Sequence, residues 1–347
     1  MLDYAIMLLI ILFLIFDILY KAKIVPVNEH FFDKNNTQAM RGFWCMVIIL
    51  VHVPTMYQNR IQDMIGSFAY IGVTFFFMTS AYGLTLSQDR NPEGIKQFWR
   101  KRLPKILIVP ALVMLVFIVI NYLIFHDLLC IFGVFNSCLW AIWLLGCYLA
   151  FWLSNMVFRK TKTMWKVLTC VLVATGSLVM YFLQKKGIVT VTTWAPECFG
   201  FIWGILLASI KMQFVENVKN RWILKWSFVA VIAAIIGITY LKFKHVQFTG
   251  DYELKIILGL AILLFTLVAN VRIRLGNSIN MFLGEISFEI YLIHSEMFII
   301  LSRMHRWSSS GKIILVDIGV SVFVAFVVHA ISEKLIEIVK NFLQDRM

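Results

Sequence analysis

The run ILIVPALVMLVFIVINYLIF (Ile106–Phe125) is twenty residues long and carries no charge. At about 1.5 Å of rise per residue, a helix of that length reaches about 30 Å, the thickness of a bilayer's hydrocarbon core. The rest of the chain repeats the signal. Of its 347 residues 61% are apolar and 15% charged, and the mean hydropathy is +0.83. Soluble domains carry about 45–50% apolar and about 25% charged residues. So much hydrocarbon has no place to hide in a water-soluble core of this size. The composition excludes a soluble domain, a disordered chain, a collagen and a disulfide-rich secreted module.

Eleven apolar segments have spanning length: Leu2–Tyr20, Gly42–Tyr57, Ile65–Leu86, Ile106–Phe125, Leu139–Phe158, Trp165–Leu183, Trp194–Ile210, Trp222–Leu241, Leu254–Val271, Met281–Leu301 and Ile313–Ile338. The seventh is among the shortest. The expected fold is all-α, a polytopic membrane helix bundle of about eleven transmembrane helices. The first segment lacks a basic start and a small-residue cleavage site and ends in Lys21 and Lys23. It therefore reads as an uncleaved span with its amino terminus outside. With the Lys21–Arg41 loop inside and alternation from there, 23 of the 32 Lys and Arg residues fall on the cytoplasmic side. That satisfies the positive-inside rule and places the carboxyl terminus in the cytoplasm. The formal net charge of +13 is thereby read as topology and not as a nucleic-acid surface. Anionic lipid or an anionic cofactor can use the same charges. No extramembrane segment of about 100 residues exists to carry separate chemistry. The six cysteines (Cys45, Cys130, Cys138, Cys147, Cys170 and Cys198) form no CxxC pair and read as buried thiols. No metal-ligand, Walker-loop or dinucleotide-binding signature is present.

Ionisable groups inside a span are costly and mark function by default. In MRGFWCMVIILVHV (Met40–Val53), His52 follows Arg41 by eleven residues. That is close to three helical turns and about 16 Å of rise. One helix face then carries a cation at the cytoplasmic lip and an imidazole near mid-membrane. Such a face suits a ligand with an anionic head and a buried reactive end. A buried histidine bonded to a neighbour, beside a snorkelling arginine, fits the spacing as well. The loop NPEGIKQFWRKRLPKILIVP (Asn91–Pro110) holds Lys96, Arg100, Lys101, Arg102 and Lys105. Arg102 and Lys105, three apart, share a helix face and form a candidate phosphate clamp. A loop that is basic only to stay inside is the alternative.

The tenth span, LGEISFEIYLIHSEMFI (Leu283–Ile299), carries two polar stripes. Ser287, Tyr291 and His294 lie on one face and Glu285, Glu289 and Glu296 on roughly the opposite one. Neither stripe faces lipid cheaply, so protein or a wet cavity must surround this helix. Glu285 and Glu296 fit the two interfaces, whereas Glu289 does not. In the third span, Ser80, Tyr82 and Gly83 permit close approach and hydrogen bonding, as small residues at ordinary helix contacts do. His329 and Glu333, four apart in the last span, are spaced to pair with each other. Asp17 lies near the cytoplasmic interface and needs no special role.

These motifs, in this order, resemble acyltransferase family 3, integral-membrane acyltransferases that mostly O-acetylate surface polysaccharides. Arg41 and His52 match the family's Arg-x10-His signature. FFFMTSAYG resembles its third-span motif, and FWRKRLPKI its basic RxxR loop, with Arg102 and Lys105 in the paired positions. LWAIWLLGCYLAFWL (Leu139–Leu153) resembles its Trp-containing middle span, FGFIWGILLA (Phe199–Ala208) its Gly-containing segment and ISFEIYLIH (Ile286–His294) its ISYxxYLxH motif. There are departures. Ala81 stands for a glycine, Lys105 for the second arginine, and Leu145 and Gly146 stand where many relatives have glutamate. Glu333-Lys334 lacks a following proline, and the fused esterase-like domain of some relatives is absent. The resemblance divides the chain into an extra transmembrane helix with a cytoplasmic linker (1–38) and a membrane acyltransferase domain (39–347).

The resemblance implies acetyl-CoA, or another short acyl-CoA, as a donor taken from the cytoplasm. It also implies a sugar hydroxyl of a polysaccharide or lipid-linked glycan as acceptor, and a multi-pass protein of the plasma membrane. Arg41, Ser80, Arg102 and Lys105 would bind the donor. His52 would act as general base, its imidazole suited by an ordinary pKa of about 6.5. Tyr291 or Ser80 would donate to the oxyanion, and His294 or a tenth-span glutamate would orient His52. This reading requires Arg41 and His52 to line one shaft. A transporter or flippase for a polar or lipid-linked substrate accounts for the intramembrane histidine and glutamates equally well. It does not account for a phosphate-binding loop set at a fixed spacing from His52. A sensor or scaffold accounts for neither.

Overall fold

The computed structural model describes residues 2–53, 60–127, 131–159, 161, 163–191 and 193–345. Among them are thirteen α-helices: α1 (Leu2–Leu19), α2 (Lys34–Val51), α3 (Arg60–Gly66), α4 (Tyr70–Arg90), α5 (Phe98–Phe125), α6 (Ile131–Val157), α7 (Met164–Lys185), α8 (Phe199–Lys219), α9 (Trp222–Phe243), α10 (Leu254–Asn270), α11 (Ser278–Glu285), α12 (Ser287–Met304) and α13 (Ser310–Asp345). A two-residue antiparallel pair, Lys23–Ile24 with Ile273–Arg274, joins the α1–α2 and α10–α11 connections. The protein is a polytopic helical membrane bundle. Each of the eleven apolar segments overlaps one long helix, with the differences given below. Eight helices are long and apolar enough to cross a membrane by length and composition. Of the remaining three, α1 is short, whereas α2 and α12 carry too many polar groups. The latter two run through the middle of the bundle, where protein replaces lipid around those groups.

Four details differ from the expectation. The Gly42–Tyr57 span stops at Val51, with His52 as the capping residue just past the last turn, and its far end lies outside the described residues. The third span is preceded by the separate helix α3. The seventh span is not short, because α8 extends through 21 residues to Lys219. The tenth span is broken at Ile286 into α11 and α12. The basic "loop" is mostly helical too: a 3-10 turn (Pro92–Gln97) leads into α5, whose first two turns carry Arg100, Arg102 and Lys105.

Glycines set the two closest helix contacts. A Cβ on Gly284 would sit 1.9 Å from the Gln38 carbonyl oxygen, and one on Gly42 would sit 2.5 Å from that of Asn280, which locks α11 onto α2. Gly200 and Gly204 do the same for α8 against α4, with Cβ positions 2.1 and 2.3 Å from the Thr74 and Met78 carbonyl oxygens. Without a hydrophobic driving force in lipid, such backbone approach is a main source of helix association. The polar ends of the helices are tied on the basic face by Lys166–Asp89 (2.7 Å) and by Arg159 and Lys96 on Glu93. Hydrogen bonds from Lys96 and Arg159 hold the Glu93 carboxyl below the usual carboxylate range. Asp17 is buried, and its carbonyl accepts the Asn280 amide (3.1 Å), pinning α1 to α11. Cys45, Cys138, Cys147 and Cys198 are buried free thiols and Cys170 is half-buried, whereas Cys130 lies outside the described residues.

Candidate active site

The site is organised along α2. Asp33 caps its start by accepting the Asn36 N–H (3.0 Å). Two turns further, Arg41 donates from Nη2 to Thr79 Oγ1 of α4 (3.1 Å), while its buried Nε has no protein partner. Thr79 lies midway along α4, so Arg41 sits deeper than a lip position. It lines two adjoining cavities at the basic end of the bundle, of about 680 and about 460 Å³, which also share Thr79, Gly83, Lys105 and Glu333. Ser80, Lys101, Arg102 and Lys340 line the smaller one. Gly83 has nothing within 4 Å of its Cβ position, so its missing side chain is cavity space. The expected donor residues Arg41, Ser80, Arg102 and Lys105 therefore face one connected, cationic vestibule. Lys105 also pairs with Glu333 at 3.6 Å.

His52 lies at the other end of α2. Its Nδ1 is 2.9 Å from the Ile48 carbonyl oxygen. A carbonyl only accepts, so Nδ1 is the donor, and in the neutral ring Nε2 keeps the lone pair. The residue is exposed, into a cavity of about 560 Å³ that also meets Tyr291, Glu197, Asp63 and Lys244. His294 stands edge-on to it, with ring centroids 4.6 Å apart and planes at 82°. His294 is fixed in the same way, Nδ1 to the Ile290 carbonyl at 3.0 Å, and its buried Nε2 has no protein partner. Two imidazoles thus sit side by side, each anchored through Nδ1 by a carbonyl of its own helix. The backbone, and neither His294 nor a glutamate, sets the tautomer of His52.

The single shaft does not exist in this structure. Arg41 and His52 are about 16 Å apart along α2, as eleven residues of helix require, but they open into different cavities. Between them lies a septum of Phe76 (α4), Trp140 (α6) and Tyr291 (α12). Their ring centroids are 5.1 Å (Trp140–Tyr291), 6.1 Å (Phe76–Trp140) and 6.3 Å (Phe76–Tyr291) apart. Phe76 and Trp140 face the vestibule and Tyr291 faces the His52 cavity. Edge-to-face aromatic packing from three helices closes the passage that helix spacing alone left open.

Three further expectations change. Ser80 opens only to the vestibule, so it is no oxyanion donor beside His52. His329 does not pair with Glu333. Its Nδ1 meets Glu289 Oε1 at 2.9 Å, and Glu333 turns to Lys105. Successive turns of α13 face different neighbours, and the fully buried Glu289 carboxylate has the greater need of a partner. Glu296 is buried rather than interfacial. The charged wall residue missed by sequence reading is Glu197. It is 3% exposed, its Oε1 accepts from Lys255 Nζ at 2.6 Å, and it borders the His52 cavity. It lies at the start of the Trp194–Ile210 segment, ahead of the helix that begins at Phe199, where a carboxylate reads as an interfacial residue.

An anchored imidazole, a cationic vestibule and the motif order agree with the comparison to known families. The acyltransferase domain of acyltransferase family 3 matches residues 34–333. The chain belongs to that family. Searches of curated proteins and of solved structures each return no match. The matched region of this membrane acyltransferase runs from the first turn of α2 into α13 and contains both cavity systems and the septum.

Proposed function

We propose that this acyltransferase moves an acetyl group from acetyl-CoA, bound at the basic cytoplasmic end, to a sugar hydroxyl of a surface polysaccharide or lipid-linked glycan on the opposite side of the plasma membrane. The observation that carries the reading is that His52, held through Nδ1 by the Ile48 carbonyl, lines a cavity opposite the cationic vestibule, so that its other nitrogen is free to act as the base in the neutral ring. The phosphates of the donor lie against Arg102, Lys105 and Arg41, with guanidinium and ammonium groups supplying charge-assisted hydrogen bonds. The pantetheine arm carries the thioester to the septum, whose rings must part so that the acyl group meets the acceptor in one joined cavity. The acceptor hydroxyl lies at His52. Nε2 takes its proton as the oxygen attacks the thioester carbonyl carbon. The tetrahedral intermediate collapses, the C–S bond breaks, and the CoA thiolate takes the proton back from His52. The products are the O-acetyl ester and CoA. His294, with its own lone pair beside the ring, favours the transient imidazolium.

The test uses purified protein in detergent, labelled acetyl-CoA, and the glycan-bearing membrane extract of the producing cell as acceptor. The double variant Arg102→Ala with Lys105→Ala loses donor binding. His52→Gln keeps donor binding and loses transfer by on the order of 10²–10⁴-fold, the usual worth of a general base. Wild-type transfer by His52→Gln, or full donor binding by the double variant, contradicts the assignment. A transporter would bind no acetyl-CoA at this vestibule.

A further inference from the structure

The vestibule and the His52 cavity are separated by three aromatic rings, and one of these rings is not satisfied. Trp140 is 4% exposed and its indole Nε1–H has no protein acceptor. Buried N–H donors nearly always find a partner, so an orphan in the wall of a cavity asks for an explanation. Trp140 lines the vestibule and packs on Tyr291 at 5.1 Å, which lines the other cavity and lies 5.8 Å from the His294 ring. Trp140 therefore stands in the wall between the two cavities, with its N–H unpaired.

We propose that Trp140 is a catalytic residue of the acyl-transfer step: its Nε1–H hydrogen-bonds the thioester carbonyl oxygen once the acyl end of the donor parts the septum. The inference rests on the reading above, in which an acyl thioester reaches the septum from the vestibule. When the acceptor oxygen attacks, the carbonyl oxygen becomes an oxyanion, and a preorganised donor in a dry site stabilises it more than it stabilises the ground state. No proton leaves Trp140. The proton from the acceptor goes to His52 and then to the departing thiolate. The same ring has a second role, because the closed septum keeps water in the outward cavity away from the thioester.

The deciding comparison is Trp140→Phe against wild type and His52→Ala, in purified protein with labelled acetyl-CoA and the same membrane extract as acceptor. Phenylalanine keeps an aromatic wall and removes only the N–H and one ring. The expected result is a fall in kcat on the order of 10²–10³-fold, the usual effect of deleting one oxyanion donor. Acetyl-CoA affinity and the half-saturating amount of extract stay unchanged. Trp140→Ala, which opens the septum, adds release of free acetate from acetyl-CoA without acceptor. A Trp140→Phe protein with wild-type kcat overturns the proposal. So does one whose donor affinity falls in step with its rate, since that marks a packing role. Wild-type protein that binds no acetyl-CoA sinks the underlying reading. A His52→Ala protein that binds donor without transferring leaves that reading standing whatever Trp140 does.

Discussion

His52 is held by its own helix: the Ile48 carbonyl takes the Nδ1 proton at 2.9 Å and leaves Nε2 to the cavity. Both histidines of the site were legible in the sequence, because an ionisable group in a span is costly enough to stand out. Their contact was not, since α2 and α12 are more than 230 residues apart and no pattern says that they touch. The same blindness misassigned His329, whose four-residue spacing to Glu333 suggested a pair on one helix while its partner lies on α12. Glu289 is fully buried with one oxygen bonded to His329 and the other without a partner. Removing one member of such a pair strands a buried carboxylate, at a cost of about 3–5 kcal/mol. His329→Ala is therefore expected to lower the thermal unfolding temperature in detergent clearly more than Glu333→Ala, which frees only a half-exposed pair with Lys105. Equal, small shifts in both variants would contradict the pairing.

Helix existence was readable almost completely, because twenty apolar residues have only one cheap conformation in hydrocarbon. Helix breaks were not. The cues lie in single residues and not in the window-averaged hydropathy: Gly284-Glu285 and Ser287 flank the break at Ile286, and Pro54 follows the stop at Val51. The glycines were visible as residues, but their roles separate only in the packed bundle. Gly204 meets the Met78 carbonyl, whereas Gly83 meets nothing. Gly204→Ala forces α8 and α4 apart and is expected to cost about 1–3 kcal/mol. Gly83→Ala adds a good helix former in open space and is expected not to lower stability; under the proposed function it narrows the vestibule and is expected to weaken acetyl-CoA binding. Thermal melts of the two variants with a donor-binding assay check this, and a destabilised Gly83→Ala would contradict the open geometry.

Across the whole molecule, charge and cavities share one axis. The cationic vestibule opens at the basic end, expected to face the cytoplasm, and the His52 cavity opens at the other. Sequence reading gave this polarity through the distribution of Lys and Arg. It also drew one continuous shaft where the structure has a septum, because three rings from α4, α6 and α12 meet only in three dimensions. Under the proposed function, a two-sided reaction through a septum that parts for the acyl group makes a demand that neither a transporter nor a one-sided enzyme shares. The proposal requires that donor and acceptor be supplied from opposite faces.

Sealed vesicles containing the protein in a known orientation measure that demand directly. Labelled acetyl-CoA is added to one face, and alkali-labile label on the glycan is read on each face separately. The account predicts label only when acetyl-CoA meets the Arg102–Lys105 face, with the ester on the His52 face and none in His52→Gln vesicles. Transfer from acetyl-CoA added at the His52 face, or ester formed on the donor's own side, would contradict it.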